Sequence, residues 1–414
     1  MGPLIPMGQT PTFVVIGAGQ AGGRAVEAMR AAGFSGRILL VGHEAYVPYE
    51  RPPLSKKMLT GDGGPDSAYL HDPSFYDDRK IEMRLGVDAV AIDREARSLQ
   101  LSNGETLVYD KLLLTTGARV RRIAIPGAEL PGVDYLRDMD ESLSLRARLG
   151  AGARLVVIGG GYIGLEAASA ARARGCHVVV LEAADRVLNR VVAPEISRFY
   201  EDLHRANGVD IRTGVKLLEF TGDGKVEAVV CEGGVTCPAD FVIVGIGVEA
   251  ETGLAEAAGL TVDNGIVVDA FGRTSDKNIY AAGDVANQPN EALGRRVRLE
   301  SWQNAQNQAI AVARVMCGGS EPYQELPWFW SDQYGLNLQM VGLPEGWDRL
   351  VIRGDLASHK FTAFYLCGGL VVGANALNNP RDIRFTRMLM EQGARPDPAA
   401  LADPNVPLKS LLGG

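Results

Sequence analysis

The chain has 414 residues, 46% of them apolar and 22% charged, with a formal net charge of −8. That length allows two or three domains with cores of their own, and the acidic balance argues against nucleic acid as a partner. No apolar run reaches the ~20 residues of a membrane span, and MGPLIPMGQT lacks the basic and apolar regions of a secretory signal, so a cytoplasmic protein without membrane association is expected. The 50 glycines exceed the usual ~7% and fit several glycine-dependent turns. Five cysteines, Cys176, Cys231, Cys237, Cys317 and Cys367, form no Cys-x-x-Cys pair, and an odd count suits reduced thiols. The five histidines show no metal-ligand spacing, so no metal site is expected; His177, beside Cys176, reads as a packing residue.

The first organised stretch is TFVVIGAGQAGGRAVEAMRAAGFSGRILLVGHE, Thr12 to Glu44. An apolar strand at Phe13–Ile16 runs into Gly17-x-Gly19-x-x-Gly22, a helix to about Ala32 and a second strand at Ile38–Val41. This is a βαβ dinucleotide fingerprint. Gly17 permits the tight turn, Gly19 lets the backbone approach a pyrophosphate, and Gly22 lets helix and strand pack closely. The helix amino end offers unpaired N–H groups and a positive dipole end to the phosphates. The acidic residue that should end the second strand comes late, after Gly42 and His43. Glu44 is therefore expected to hold the ribose, with His43 at the adenosine end.

Arg51-Pro-Pro-Leu-Ser-Lys56 follows as a stiff arm, because each proline fixes its own φ and biases the residue before it. Such an arm can hold Lys56 as a fixed cation in a pocket or leave it solvated. Residues 61–80 read as loop. Short alternating segments at Ala89–Ile92, Ser98–Leu101 and Thr106–Tyr109, with a turn at Asn103-Gly104, predict an antiparallel excursion. The strand Lys111–Thr116 ends in small residues against which a flat ring could lie. A helix is expected at Asp138–Leu149.

The fingerprint then repeats, with Leu155–Ile158 as strand, Gly159-x-Gly161-x-x-Gly164 as turn, Ile163–Ala173 as helix and His177–Leu181 as second strand. Here Glu182 ends the strand directly, where a carboxylate binds the ribose 2′-hydroxyl and repels a 2′-phosphate. No arginine adjoins it, although Arg186 and Arg190 follow, so the site reads as NAD(H) over NADP(H). Two nucleotide folds in one chain imply a flavin facing a nicotinamide, since two nicotinamides would have no electron relay. Asp240–Gly247 repeats the strand-to-glycine exit. Asn278–Asp284 is a strand ending in Gly-Asp, whose carboxylate can accept from a sugar-alcohol hydroxyl. Gln303–Met316 is an amphipathic helix. From Tyr323 the composition shifts to the aromatic run Pro327–Tyr334, read mainly as the core of a third domain. Short strands follow to Ala376, then a helix at Asp382–Gln392 and a less ordered tail.

With these motifs in hand, the chain resembles the FAD- and NADH-dependent ferredoxin reductases of bacterial oxygenase systems. The likeness covers nearly the whole chain and rests on RPPLSK (51–56), GGGYIGLE (159–166), NIYAAGD (278–284), ESWQNA (300–305), PWFWSDQY (327–334) and VPLK (406–409). It implies an α/β protein of the glutathione-reductase-like FAD/NAD(P) fold: two Rossmann-like dinucleotide-binding domains plus a C-terminal α+β domain. The expected boundaries are 8–117 with 251–326 for FAD, 118–250 for NADH and 327–414 for the third domain. The resemblance puts Lys56 beside flavin N5, Glu166 against Lys56, Tyr162 at the flavin–nicotinamide contact and Trp330 toward the iron–sulfur partner. Asp284 would bind the FAD ribitol, with Trp302 and Arg137 nearby. The cofactor-binding set also takes in Ala21, Arg51, Thr116, Gly117, Ile163 and Gly247. Family members commonly carry an acid where this chain has His43.

The implied activity is electron transfer from NADH through FAD to a [2Fe–2S] ferredoxin that feeds a Rieske dioxygenase or a cytochrome monooxygenase. Ferredoxin contact would be transient and electrostatic, with Arg295, Arg296 and Arg298, or Lys409, as candidate basic groups on an otherwise acidic chain. A monomer or weak dimer is expected. Disulfide reductase chemistry needs a cysteine pair after the first fingerprint, and no cysteine precedes Cys176. A redox-sensing flavoprotein of the apoptosis-inducing-factor type, or an NADH oxidase with another acceptor, are the alternatives.

Overall fold

A computed structural model of the chain describes residues 10–412. The outer ends of the expected domains, residues 8–9 and 413–414, lie outside them. The described residues form two compact units, one of residues 10–50, 66–119 and 249–325, the other of residues 51–65, 120–248 and 326–412.

In the first unit a five-stranded parallel sheet runs in the order Ile279–Ala281, Lys111–Leu114, Thr12–Ile16, Arg37–Gly42 and Ile81–Leu85. Its strands read as continuous apolar runs because both faces are covered, as parallel sheets require. Phe13 and Val15 enter a core with Ala25, Met29, Ala309 and Val312. Val14 and Ile16 point the other way, into a core with Leu99, Leu101 and Leu107. The first of these cores holds the fingerprint helix Gln20–Ala31 and the helix Trp302–Met316. The second is closed by the antiparallel excursion Ala89–Asp93, Ser98–Leu101 and Thr106–Val108, whose Asn103-Gly104 turn puts Gly104 at φ +87°. The stretch expected as bare loop at 61–80 contains two short helices, Pro65–Ala68 and Ser74–Asp78. Tyr76 of the second is fully buried, which offsets the ordering of so polar a segment.

The second unit carries a matching parallel sheet in the order Val209–Arg212, His177–Leu181, Arg154–Ile158, Phe241–Val244 and Val133–Asp134. The fingerprint helix is Tyr162–Ala173. Sequence reasoning passed over the helix Pro194–Ala206, which has proline at its first position and buries Ile196, Tyr200, Leu203 and His204 on one face. His177 is exposed rather than packed, because it occupies the first position of an alternating strand whose next residue, Val178, takes the inner face.

Residues 328–377 of this unit form a five-stranded antiparallel sheet. The helix Pro380–Glu391 sets Ile383 and Leu389 into a core with Val341, Phe364 and Ala374. The tail is better ordered than its composition suggests. The buried Arg353 guanidinium donates to the carbonyls of Leu401, Asp403, Pro404 and Val406, and Leu401 and Leu408 enter the same core. One arginine fork satisfies four carbonyls that proline-rich chain leaves without helical partners.

Candidate functional site: two nucleotide turns and a buried ion pair

In the first unit the three fingerprint glycines meet different surroundings. A Cβ on Gly17, at φ +103°, would lie 2.1 Å from the Thr115 carbonyl oxygen, and one on Gly22 would lie 1.9 Å from that of Gly17. Nothing lies within 4 Å of a Cβ on Gly19, so that position is open on the side where a ligand would approach. The helix it starts has no side-chain cap and no acidic residue in its first turn. The unpaired N–H groups and positive dipole end of such a helix suit an anion. Gln20 is 7% exposed, yet neither atom of its amide has a partner in the protein. Ala21 is buried and would touch a Cβ on Gly283 at 3.1 Å. These features fit a dinucleotide pyrophosphate.

At the end of the second strand His43 is exposed and bonded to Asp88 at 2.7 Å, while the Glu44 carboxylate accepts from the Tyr49 hydroxyl. Thr116 Oγ1 donates to the Glu251 carbonyl at 2.7 Å, and Gly117, at φ +71°, turns the chain out of the sheet. Asp284 follows Gly283, whose N–H donates to Gln308 at 2.8 Å. Trp302 opens its helix behind the Ser301 cap. The arginine run near it is largely used internally. Arg298 pairs with Glu300 at 2.7 Å and Arg296 donates to the Val268 carbonyl at 2.6 Å.

The second fingerprint repeats the glycine logic. A Cβ on Gly159 would lie 2.4 Å from the Gly245 oxygen and one on Gly164 2.2 Å from the Gly159 oxygen, while one on Gly161 would meet nothing. Here too the helix lacks a side-chain cap. Glu182 points into the turn, accepting from the Gly160 N–H at 2.6 Å and the Ala184 N–H at 2.7 Å. Arg186 is bound to Ser197 at 2.6 Å and to the carbonyls of Val192 and Asn189, so its guanidinium is already committed. Ile163 is 44% exposed at the mouth of the turn, an unusual placing for a large apolar side chain. Gly247, at φ +103°, marks the exit of a neighbouring strand.

The same unit holds the ion pair. The Pro-Pro arm winds into a tight turn at Pro52–Ser55, and a short helix starts at Lys57, leaving Lys56 at the break between them. Its ammonium donates to Glu166 Oε2 at 2.7 Å. Glu166, on the inner face of Tyr162–Ala173, is 2% exposed and also accepts from Ser55 at 2.5 Å and Ser331 at 2.6 Å. A buried carboxylate survives only with such partners. The Lys56 ammonium lies 5.8 Å from the Trp330 ring centroid, and Trp330 stacks on Trp328. Trp330 is half-buried rather than core, so the reading of the aromatic run as packing is corrected for this residue. The sheet's core is made instead by residues such as Phe364 and Leu366. Tyr162 packs against Phe329 at 5.0 Å and its hydroxyl donates to Met340 Sδ. Arg51 donates to the Arg137 carbonyl, which ties the arm to the segment before the capped helix Met139–Arg148. A cavity of about 670 Å³ opens beside the pair, lined by Ser55, Lys56, Thr60, Arg172 and Tyr334 among others.

Sequence reasoning missed Ser55 and Ser331 as partners of Glu166. The signal was present in WFWSDQ, where period-two alternation sets Phe329, Ser331 and Gln333 on one face and Trp330 and Asp332 on the other.

Residues 11–309 match the pyridine nucleotide-disulphide oxidoreductase family, and residues 328–412 match the reductase C-terminal family. The chain belongs to the pyridine nucleotide-disulphide oxidoreductases. It is 42% identical to putidaredoxin reductase of Pseudomonas putida over 98% of each chain. It is 45% identical to the ferredoxin–NAD(+) reductase component of an anthranilate 1,2-dioxygenase system of Burkholderia cepacia, over 97% of this chain and 99% of that one. The crystal structure of a covalent putidaredoxin reductase–putidaredoxin complex superposes with a TM-score of 0.94 at 42% identity, covering 97% of this chain and 98% of that one. Among the described residues of this oxidoreductase no helix is long and apolar enough to cross a membrane.

Proposed function

We propose that the chain is a cytoplasmic NADH-dependent flavoprotein that passes electrons through FAD to a [2Fe–2S] ferredoxin serving an oxygenase. The observation that carries the reading is the pair of uncapped glycine turns in one chain that resembles ferredoxin reductases from end to end. We assign FAD to the discontinuous segment 8–117 with 251–326, NADH to 118–250, and the cover of the redox site to 327–414.

When bound, the flavin supplies the step from two-electron to one-electron chemistry. The residues of the chain do the rest. Gly17, Gly19, Ala21 and Gly22 bring the helix amino end to the FAD pyrophosphate, with Gln20 offering its unpartnered amide. His43 and Glu44 take the adenosine end, and Asp284, Thr116, Gly117, Trp302, Arg51 and Arg137 complete the cofactor set. Gly159, Gly161, Ile163, Gly164 and Gly247 bind the nicotinamide dinucleotide. Glu182 selects the free 2′-hydroxyl, and the commitment of Arg186 to Ser197 supports NADH over NADPH. Lys56 holds a positive charge where negative charge develops, and Glu166 fixes the position of Lys56. Tyr162 orients the nicotinamide, and Trp330 lies on the side from which electrons leave.

The test is NADH-driven reduction of cytochrome c by the purified yellow protein, with and without an acidic [2Fe–2S] ferredoxin. A large ferredoxin-dependent rate that falls with added salt is expected. Rapid flavin bleaching with no ferredoxin-dependent flow would replace this reading with another acceptor or a redox-sensing role.

A further inference from the structure

From Glu166 a line of hydrogen bonds runs through the second unit to the wall of the cavity. Ser331 Oγ lies 2.6 Å from Glu166 Oε1, and Gln333 Nε2 lies 3.1 Å from Ser331 Oγ. Gln333 Oε1 lies 2.7 Å from His204 Nε2, and His204 Nδ1 lies 2.9 Å from the Tyr334 hydroxyl. Ser331, Gln333 and His204 are no more than 1% exposed, and Tyr334 lines the cavity. Three separate elements contribute. Ser331 and Gln333 sit two apart on one strand and share a face, His204 comes from the last turn of Pro194–Ala206, and Tyr334 follows at the hairpin turn, where its N–H donates to Ser169 at 3.0 Å.

The direction of every bond in this line is fixed by its end. An ionised carboxylate only accepts, so Ser331 must donate to Glu166. The Ser331 oxygen then needs a donor, which the Gln333 amide N–H₂ supplies. That turns the Gln333 oxygen to His204, so Nε2 carries the imidazole proton. Burial opposes a charge on this ring and pushes it down to about 4, so the ring is neutral and Nδ1 is bare. The Tyr334 hydroxyl must therefore donate to Nδ1. All four bonds point their protons toward the carboxylate, and dipoles aligned in this way strengthen one another.

We propose that Ser331, Gln333, His204 and Tyr334 form a one-way donor chain that positions Glu166 against Lys56 for the reaction proposed above, on which this inference rests. They are positioning residues. The chain passes no proton, because the Gln333 amide would have to exchange its bonding to do so. With Ser331 on Oε1, and Lys56 with Ser55 on Oε2, the carboxylate is held from both oxygens. The Lys56 ammonium is fixed in turn.

Two measurements on the FAD-loaded protein test this. In the unmodified protein, ¹⁵N NMR of labelled imidazoles should find His204 protonated at Nε2 and bare at Nδ1 between pH 6 and 8. In Tyr334→Phe the Nδ1 resonance should move further toward the value of an unbonded nitrogen. A proton on Nδ1, or on both nitrogens, overturns the chain. Anaerobic stopped-flow should find flavin reduction by NADH slowed about tenfold in Ser331→Ala, the size of one lost hydrogen bond to a charged group, with NADH affinity within twofold and the rate restored in Ser331→Thr. An unchanged rate, or no rescue by threonine, refutes the positioning role. Should Ser331→Ala fail to fold, the imidazole spectra of the unmodified protein decide. Absence of NADH-driven flavin reduction in the unmodified protein would instead overturn the proposed reaction and leave the tautomer to judge the chain.

Discussion

Replacing Glu166 by glutamine keeps the shape of the side chain and removes its charge. Within the arm, Lys56 then keeps the Pro52 carbonyl, 3.5 Å away, as an oxygen neighbour too distant to replace the carboxylate. Breaking a buried pair on one side costs about 3–5 kcal/mol when the remaining charge is sealed from water. The Lys56 side chain is 19% exposed. Water therefore recovers part of this, and a loss of about 2–4 kcal/mol in unfolding free energy is expected. If about 2 kcal/mol of it is positional hold on the ammonium in the transition state, flavin reduction slows roughly 30-fold. The assay is anaerobic stopped-flow at the flavin absorption maximum under saturating NADH, with urea unfolding followed in parallel. FAD content should be unchanged, since Glu166 stands outside the first fingerprint. Reduction at the wild-type rate, in a variant that keeps its FAD, would show that the pair serves stability alone.

Glu182→Ala should lower the NADH-over-NADPH preference in kcat/KM by about tenfold, the scale of one hydrogen bond to a charged group; an unaltered ratio would remove Glu182 from the ribose. Gly161→Ala should raise the KM for NADH at least tenfold with an unchanged melting temperature, because its Cβ meets no protein atom, whereas Gly159→Ala, at φ +102° and 2.4 Å from a carbonyl oxygen, should lower stability by about 1–3 kcal/mol or more. Equal effects on melting would contradict the division of labour between the glycines. His204 binds its proton at about 4 when folded and at 6.5 when unfolded, so the unfolded chain takes up a proton that the folded one refuses. Stability is complete above pH 6.5 and falls by about 3 kcal/mol toward pH 4. In His204→Gln this slope should flatten, as read from urea midpoints between pH 4.5 and 7.

The parallel cores were legible because parallel strands are buried on both faces. Phe13–Ile16 and Leu155–Ile158 are continuous apolar runs, and the glycine spacing after each one defines a tight turn into a helix. The terminal packing was not legible. Four prolines between 396 and 407 interrupt any helical or strand period in the tail, and part of its order comes from Arg353, about 50 residues away in sequence, whose role is visible only when its carbonyl partners converge. The partners of Glu166 were hidden for the same reason. Ser55 and Ser331 lie 111 and 165 residues from it, and although alternation sets Ser331 on one face with Phe329 and Gln333, nothing in the local sequence names Glu166 as its acceptor. The helix Pro194–Ala206 was obscured by its charge. Glu195, Arg198, Glu201, Asp202 and Arg205 break up the apolar positions along the chain, and these line up as one stripe only when the segment is wound as a helix.

The family to which the chain belongs takes its name from disulphide chemistry, and the thiols of this chain are placed against it. A nucleophilic thiol needs a lowered pKa, access and a nearby positive charge. Burial instead pushes Cys176, Cys231, Cys237 and Cys317 upward. Cys231 and Cys237 are 1% and 2% exposed on adjoining strands of a core, and burial outweighs the positive charge of Arg212, which donates to the Cys237 sulfur. The arm after the first fingerprint offers no cysteine at all, and carries at its kink an ammonium tied to a buried carboxylate. A fixed cation of that kind stabilises charge arriving on a neighbouring ring, and does so without forming a bond. In the proposed reaction this ammonium, rather than a thiol, serves the flavin, so charge stabilisation takes the place of covalent exchange.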